Sequence, residues 1–291
     1  MAGPNLQRMI LCGGMQSGGT TLVSWCILQR RDTNGVLDMP NDIVRVSFDR
    51  VAEPILWVKM TVGAFRWLDL LELYTDLGWR PEPLLIVRDT RMACASLTRK
   101  PYGANGTTGG DPPLRVRFRR FLSDWEVFRA NGWPIVKFED LLRDERAVLE
   151  HACRAMGLPW DEGVITWPKK LSDIAYVDGT QKTFAESLSQ GSLTAALRRD
   201  RAQVTLDHVP LAELEWLDAT FAAYNGYHGY PERLAPRRTG SLPPSVPIPR
   251  FEGTALHWYL SEIERLKAEN DRLHADRGDS GAGVRAGGEH P

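Results

Sequence analysis

The sequence predicts an α/β fold: a parallel central sheet flanked by helices, followed by a separate C-terminal helix. Three observations lead there. Short apolar runs of strand length, at 9–12, 54–60, 83–87 and 135–138, alternate with longer stretches of helical period. Those stretches are long enough to serve as crossovers, so successive strands can run parallel under helices on both faces. Polar residues also gather just after the runs: a glycine-rich turn, Lys59, Arg88 and Glu139. In a parallel sheet that edge is where ligands bind.

Taken in order, Met9-Ile10-Leu11-Cys12 reads as the first strand, Gly13 to Thr21 as a turn, and Leu22 to Leu28 as a helix. Residues 54–60 read as a buried strand ending in Lys59. Phe65, Leu68, Leu71, Leu73 and Leu77 then mark a helix that Gly78 stops. The strand at 83–87 runs directly into Arg88-Asp89, and 92–97 follows as a helix. The glycine-rich stretch 102–113 reads as a loop, long enough for a lid or an acceptor-binding segment. A long helix is expected over 114–131 with Phe118, Leu122, Trp125 and Phe128 on one face. After the strand at 135–138, Glu139-Asp140-Leu141 leads into a helix ending near Met156-Gly157. The pattern weakens from 171 to 201: residues 178–184 read as a loop and 192–201 as a short helix. A closing helix is expected over 211–225.

These elements form a domain over 1–234. A linker over 235–250 follows, marked by Pro236, Pro243, Pro244, Pro247 and Pro249. In the segment 251–275, Leu256, Ile263 and Asn270 recur at heptad spacing, with Tyr259, Leu266 and Leu273 three residues after each. Glu262 and Lys267 flank that seam as e/g partners. A two-stranded coiled coil, hence a homo-oligomer, is the expectation; a helix docked on the parent domain has the same face. The tail 276–291 is too polar and glycine-rich to order itself.

Composition removes several classes of function. Lys and Arg number 36 against 37 Asp and Glu, a net charge of -1 that gives no bulk electrostatic case for nucleic acid. The basic run Arg115 to Arg120 reads first as the wet face of a helix and second as lining for an anionic substrate. Cys12, Cys26, Cys94 and Cys153 are widely spaced and read as buried thiols, not metal ligands. No run approaches the roughly 18 apolar residues of a membrane span, and no signal-peptide core is seen, so a cytoplasmic protein is expected.

The turn Gly13-Gly14-Met15-Gln16-Ser17-Gly18-Gly19-Thr20-Thr21 sits between strand and helix, where backbone N–H groups and the helix dipole face an anion. Set against the triphosphate loop G-x-x-x-x-G-K-[ST], Gly13, Gly18 and Thr20 fit, but Gly19 stands at the lysine position. The loop therefore reads as a phosphate site without the ammonium that a γ-phosphate calls for.

Arg88-Asp89 at a strand end and Ser96 on the next helix fit the spacing R-[DN]-P-x-x-x-x-x-S, with Thr90 in place of the proline. Through these residues the chain resembles the sulfotransferases that use 3'-phosphoadenosine-5'-phosphosulfate. Ser17-Gly18-Gly19-Thr20-Thr21-Leu22 is similar to that family's first loop, and Lys59 to the lysine at its second strand-end segment. Phe138-Glu139-Asp140-Leu141, followed by Gly157-Leu158, resembles its Y-E-D-L and later G-L. Together these pieces span about residues 8 to 160. The resemblance implies a P-loop-like sulfotransferase fold that binds the phosphosulfate donor as co-substrate without a metal. Gln16, Ser17, Gly18, Gly19, Thr20 and Thr21 would hold the 5'-phosphosulfate, and Arg88 with Ser96 the 3'-phosphate. Glu139 and Asp140 read as bracing rather than catalytic.

Two departures shape the expected chemistry. Many members carry Lys or Arg in the first loop, where this chain has Gln16 and Ser17. Lys59 is therefore the expected source of positive charge, alone or with Lys182 from the later loop. The strand end reads Lys59-Met60-Thr61, with no histidine base; the carboxylates before it, Asp38, Asp42, Asp49 and Glu53, are the alternatives, with Glu53 and Asp38 put forward. The expected reaction is sulfuryl transfer to a hydroxyl of a glycan, lipid or natural product, in a bacterial-type enzyme. The alternatives are a kinase-like or NTPase-like enzyme lacking the loop lysine, and a catalytically weak nucleotide-binding scaffold.

Overall fold

The computed structural model describes residues 7–37, 51–60, 67–99, 114–177, 182–203 and 205–231, with backbone alone at 182–184 and 199–203. The chain divides into the units Met1–Val246 and Pro247–Pro291. The second unit, the loop at 102–113, the linker, the heptad segment and Asp38 all lie outside the described residues.

Five strands among the described residues form one sheet: β1 (Gln7–Gly14), β2 (Thr33–Val36), β3 (Ile55–Lys59), β4 (Trp79–Val87) and β5 (Ile135–Lys137). Every pairing is parallel, in the order β2-β3-β1-β4-β5. The strand that opens into the glycine turn is thus the central one. From it the chain passes through α1 (Thr20–Leu28) to β2 on one side. It later crosses from β3 through α2 (Trp67–Asp76) to β4 on the other. A crevice therefore opens at the C-terminal end of β1, where the direction of winding reverses.

Alternation along each strand divides the core in two. Met9 and Leu11 of β1, Leu56 and Val58 of β3, and Leu85 and Val87 of β4 face one side. There they pack with α2, α3 (Thr90–Thr98), α4 (Leu114–Asn131), α10 (Leu211–Thr220) and α11 (Ala222–His228). Ile10, Cys12, Ile55, Trp57, Leu84 and Ile86 face the other. Their partners are α1, α5 (Phe138–Leu141), α6 (Glu145–Ala155), α7 (Gly163–Thr166), α8 (Lys182–Ser189) and α9 (Leu193–Gln203). Both faces being covered is why the strands read as continuous apolar runs.

Away from the glycine turn, the described elements differ from the sequence expectation as follows. β2 has no apolar run. Its edge is held by Asn34, whose Oδ1 accepts the Gly35 and Ala175 N–H groups at 2.8 and 3.0 Å. Gly35, at φ 149, also lets the strand approach the Trp57 carbonyl more closely than a Cβ would allow. β4 starts before 83 and takes in Pro81 and Pro83. Both lie on the side whose N–H groups face β5, but β5 covers only Leu85–Val87, so no ladder bond is lost. Lys182 to Phe184 are helical in α8 rather than loop. The single closing helix is two, α10 and α11, separated at Phe221, whose ring is fully buried against Phe118, Phe121 and Tyr224.

The four cysteines are free and buried, as expected. Burial pushes the Cys12, Cys26 and Cys94 thiols up to about 12, which leaves them unreactive. No helix among the described residues is long and apolar enough to cross a membrane.

Candidate active site

The glycine turn is built from close approaches. A Cβ on Gly14 would lie 2.5 Å from the Ile86 carbonyl oxygen, and one on Gly18 would lie 2.7 Å from the Met15 carbonyl oxygen. Ser17 (φ 63) and Gly19 (φ 89) both take left-handed backbone conformations, and the Gly18 N–H closes the turn onto the Met15 carbonyl at 2.8 Å. Left-handed residues in such a turn bring successive N–H groups to one concave side, an anion-binding shape. The N-terminus of α1 points into it. Gly19 caps that helix with no side-chain hydrogen bond, and its first turn has no acidic residue. The dipole's positive end and the N–H groups of the first turn remain directed at the loop. Within it the Ser17 hydroxyl is a buried polar atom with no hydrogen-bond partner among the described residues.

Gly19 answers the question of the missing lysine. A Cβ there would run into the Phe138 ring, and its φ of 89° disfavours any L side chain. Sequence reading put Phe138 in the strand. The structure ends β5 at Lys137 and makes Phe138 the first residue of α5, with its ring over the turn. A lysine at 19 is thus excluded by packing as well as absent from the sequence.

Arg88 follows β4 and lies against the same turn. The residue is 5% exposed, and its guanidinium donates from Nη1 to the Ser17 carbonyl at 2.9 Å and lies 4.7 Å from the Phe138 ring centroid. Its backbone is equally fixed: the Tyr224 hydroxyl accepts the Arg88 N–H at 3.2 Å and donates to the Arg88 carbonyl at 2.8 Å. Glu139 braces this corner. Its carboxylate accepts the Asp89 N–H and the Tyr230 hydroxyl, each at 2.9 Å. Burial nevertheless raises its pKa against those hydrogen bonds and the Arg88 charge. Asp89 does not pair with Arg88; it caps α3 by accepting the Arg91 N–H at 2.9 Å. Thr90, in the place of the family's proline, opens that helix, and Ser96 lies half-buried further along it.

No family model matches this sequence, and no curated protein does. Among solved structures, the sulfotransferase domain of the Synechococcus olefin synthase aligns with 76% of this chain and 97% of its own, at 15% identity and a TM-score of 0.46. The sulfotransferase domain of the curacin biosynthetic pathway covers 75% and 98%, at 11% identity and a TM-score of 0.49. A mouse sulfotransferase complexed with PAP covers 76% and 85%, at 11% identity and a TM-score of 0.47. All three are similar structures at low identity.

The remaining expected residues separate by position. Lys59 ends β3 beside Cys12, is 3% exposed, and by strand alternation faces the α1 side of the sheet. It therefore belongs to the same edge as the turn and Arg88. Glu53 does not. It precedes β3 at the opposite, N-terminal edge, where its Oε1 accepts from the Asn34 amide at 3.0 Å and its carbonyl from Gln7 at 3.2 Å. Six residues of extended chain span roughly 20 Å, so Glu53 cannot serve a reaction at Lys59. Lys182 opens α8 on the second face rather than standing on a loop. Among the described residues no three His, Cys, Asp or Glu side chains gather as metal ligands.

The basic run Arg115 to Arg120, read first as the wet face of a helix and second as lining for an anionic substrate, departs from the first reading at Arg117. Arg117 of α4 is 1% exposed and donates to the Gln16 side-chain oxygen. The expected inward face of α4 was Phe118, Leu122, Trp125 and Phe128. The buried set is Arg117, Phe118, Phe121, Asp124, Trp125 and Phe128, with Leu122 only half-buried. The signal was the i, i+4, i+7, i+11 row of Arg117, Phe121, Asp124 and Phe128, hidden because polar residues interrupt it.

Proposed function

We propose that the protein transfers a sulfuryl group from 3'-phosphoadenosine-5'-phosphosulfate to a hydroxyl of a glycan, lipid or natural-product acceptor. The observation that carries this reading is the turn itself. It is a phosphate-shaped loop whose lysine position is closed by Phe138, and the guanidinium of Arg88 rests on its Ser17 carbonyl. A triphosphate loop keeps its lysine, whereas the resembled family takes a bisphosphate nucleotide and places an arginine after a later strand. In this reading the turn and the α1 N-terminus hold the 5'-phosphosulfate, and the buried Ser17 hydroxyl finds its partner there. Arg88 and Ser96 grip the 3'-phosphate; a guanidinium suits a phosphate because it donates in a planar fork. Lys59 meets the negative charge that builds on the leaving phosphate oxygen.

Thermal unfolding with 3',5'-bisphosphate adenosine nucleotide, against ATP with and without magnesium, tests the reading. Saturating bisphosphate at about 100 times its dissociation constant stabilises by about 2.7 kcal/mol, a shift of a few degrees. Stabilisation by ATP alone would overturn the reading. Labelled donor with an acceptor panel then tests transfer; binding without any turnover would favour the scaffold alternative.

A further inference from the structure

The turn from Gly13 to Thr21 contains no cationic side chain, yet α4 delivers one to its rim. That helix begins with Arg115, Arg117, Arg119 and Arg120, and helical phase sorts them. Arg115 is exposed, pairs with Glu213 of α10 at 2.8 Å and lies over Trp216, which Arg119 also faces. Those two are the solvent face that a basic run normally makes. Arg117 is turned inward with Phe121 and Phe128, and its guanidinium meets the Gln16 carboxamide oxygen. One turn further, Arg120 is half-buried near Asp124, and burial lowers its pKa. The guanidinium of Arg117 is thus brought to the residue just before Ser17, at the rim of the loop.

We infer that Arg117 is a catalytic residue, supplying from α4 the positive charge that the loop lacks. The inference rests on the sulfuryl-transfer reading and deepens it. Gln16 holds the guanidinium at the loop rim in the free protein. With donor present, its N–H groups reach the oxygens of the transferring sulfuryl group. In the transfer step a lone pair of the acceptor hydroxyl oxygen forms the new S–O bond. The bond from sulfur to the bridging phosphate oxygen breaks, and its electron pair stays on that oxygen. The acceptor proton leaves to solvent. A fixed guanidinium beside the sulfuryl oxygens lowers the barrier because it needs no reorganisation as charge shifts.

The test uses the full chain, with turnover of sulfur-labelled donor, bisphosphate affinity by calorimetry, and thermal unfolding. Arg117→Ala should lower turnover about 100-fold while bisphosphate affinity, which involves no sulfuryl group, moves by less than about threefold. Gln16→Glu separates charge from packing. It gives the guanidinium a carboxylate partner, so the variant should melt no lower than the parent and still lose turnover by about the same factor. Gln16→Lys in the Arg117→Ala background returns the cation to the loop and should recover at least about tenfold. Arg119→Ala, on the outer face, should turn over like the parent. A folded Gln16→Glu variant with full turnover would overturn the inference. So would a double variant that melts like the parent and recovers nothing. Failure of the unaltered protein to bind bisphosphate or donor would instead remove the sulfuryl-transfer reading, and this inference with it.

Discussion

The two edges of the sheet differ in what their described cations touch. At the N-terminal edge, Arg8 meets Glu82 at 2.5 Å and Arg30 meets Asp32 at 2.7 Å, while Glu53 accepts from Asn34. At the C-terminal edge Arg91 pairs with Asp218, but Arg88 also donates to a carbonyl and lies over an aromatic ring, and Arg117 donates to an amide oxygen. Lys59 is buried at that same edge. Acids are present there, but Glu139 accepts backbone and tyrosine donors and Asp89 caps α3. Ion pairs hold a fold together, whereas cations brought to a glycine turn also suit an anion, the use proposed for them above.

The largest effect expected from breaking this contrast comes at Gly19. Gly19→Lys restores a triphosphate-type loop in sequence, but it adds a left-handed L residue and a clash with Phe138, each costing about 1–3 kcal/mol. Bisphosphate binding should be lost altogether, and no ATP binding should replace it; calorimetry with both nucleotides checks this. Lys59→Met, which keeps the volume, should lower donor turnover about 100-fold and bisphosphate affinity far less. Equal effects on both would assign Lys59 to binding only. Arg88→Ala should weaken bisphosphate binding by about 2 kcal/mol, roughly 30-fold, with competition titrations as the readout.

Acid should also distinguish the edges. Near the end of β5, the His228 ring accepts from the Trp125 indole at 2.9 Å. Burial first, then Lys137 and Arg129, push its pKa down from 6.5 to about 4. The unfolded chain therefore takes up a proton that the folded chain refuses. Stability from this group is complete above about pH 6.5 and falls as pH drops toward 4. The N-terminal edge behaves differently. Burial raises the Asp32 pKa, but hydrogen bonds and charge from Arg30 prevail and hold it below 3.8, so its contribution survives at pH 5. Denaturant midpoints between pH 7 and 4 should show the decline, and His228→Gln should flatten it. The smallest effect is expected at Glu53. Glu53→Gln keeps an acceptor for Asn34 and should change turnover by less than about twofold; a large loss would break the contrast between edges.

Much of this arrangement was legible in the chain. The runs at 9–12, 54–60 and 83–87 became the interior strands because strands buried on both faces are apolar throughout. The turn joining β1 to α1 and the place of Arg88 after β4 were legible as well, since close backbone approach restricts the residue types that serve. β2 was not, because it is an edge strand held by the Asn34 side chain rather than by apolar packing. Arg117 was placed first on the solvent face for a related reason: a charged residue on the buried row of a helix reads as the wrong phase. Glu53 looked plausible by proximity to Lys59 in sequence, yet an extended strand carries its two ends to opposite edges of the sheet.

By itself, then, the sequence determined the parallel α/β architecture, the place of the phosphate-shaped turn and the absence of a lysine on it. Periodicity and glycine placement are local properties, so they can be read along the chain. Only the tertiary structure decided what surrounds that turn. Phe138 closes the lysine position, Arg88 lies on the Ser17 carbonyl, and Arg117 arrives from a helix 101 residues away in sequence. Contacts of that separation depend on strand order and helix phase together, and neither is written at the residues that meet.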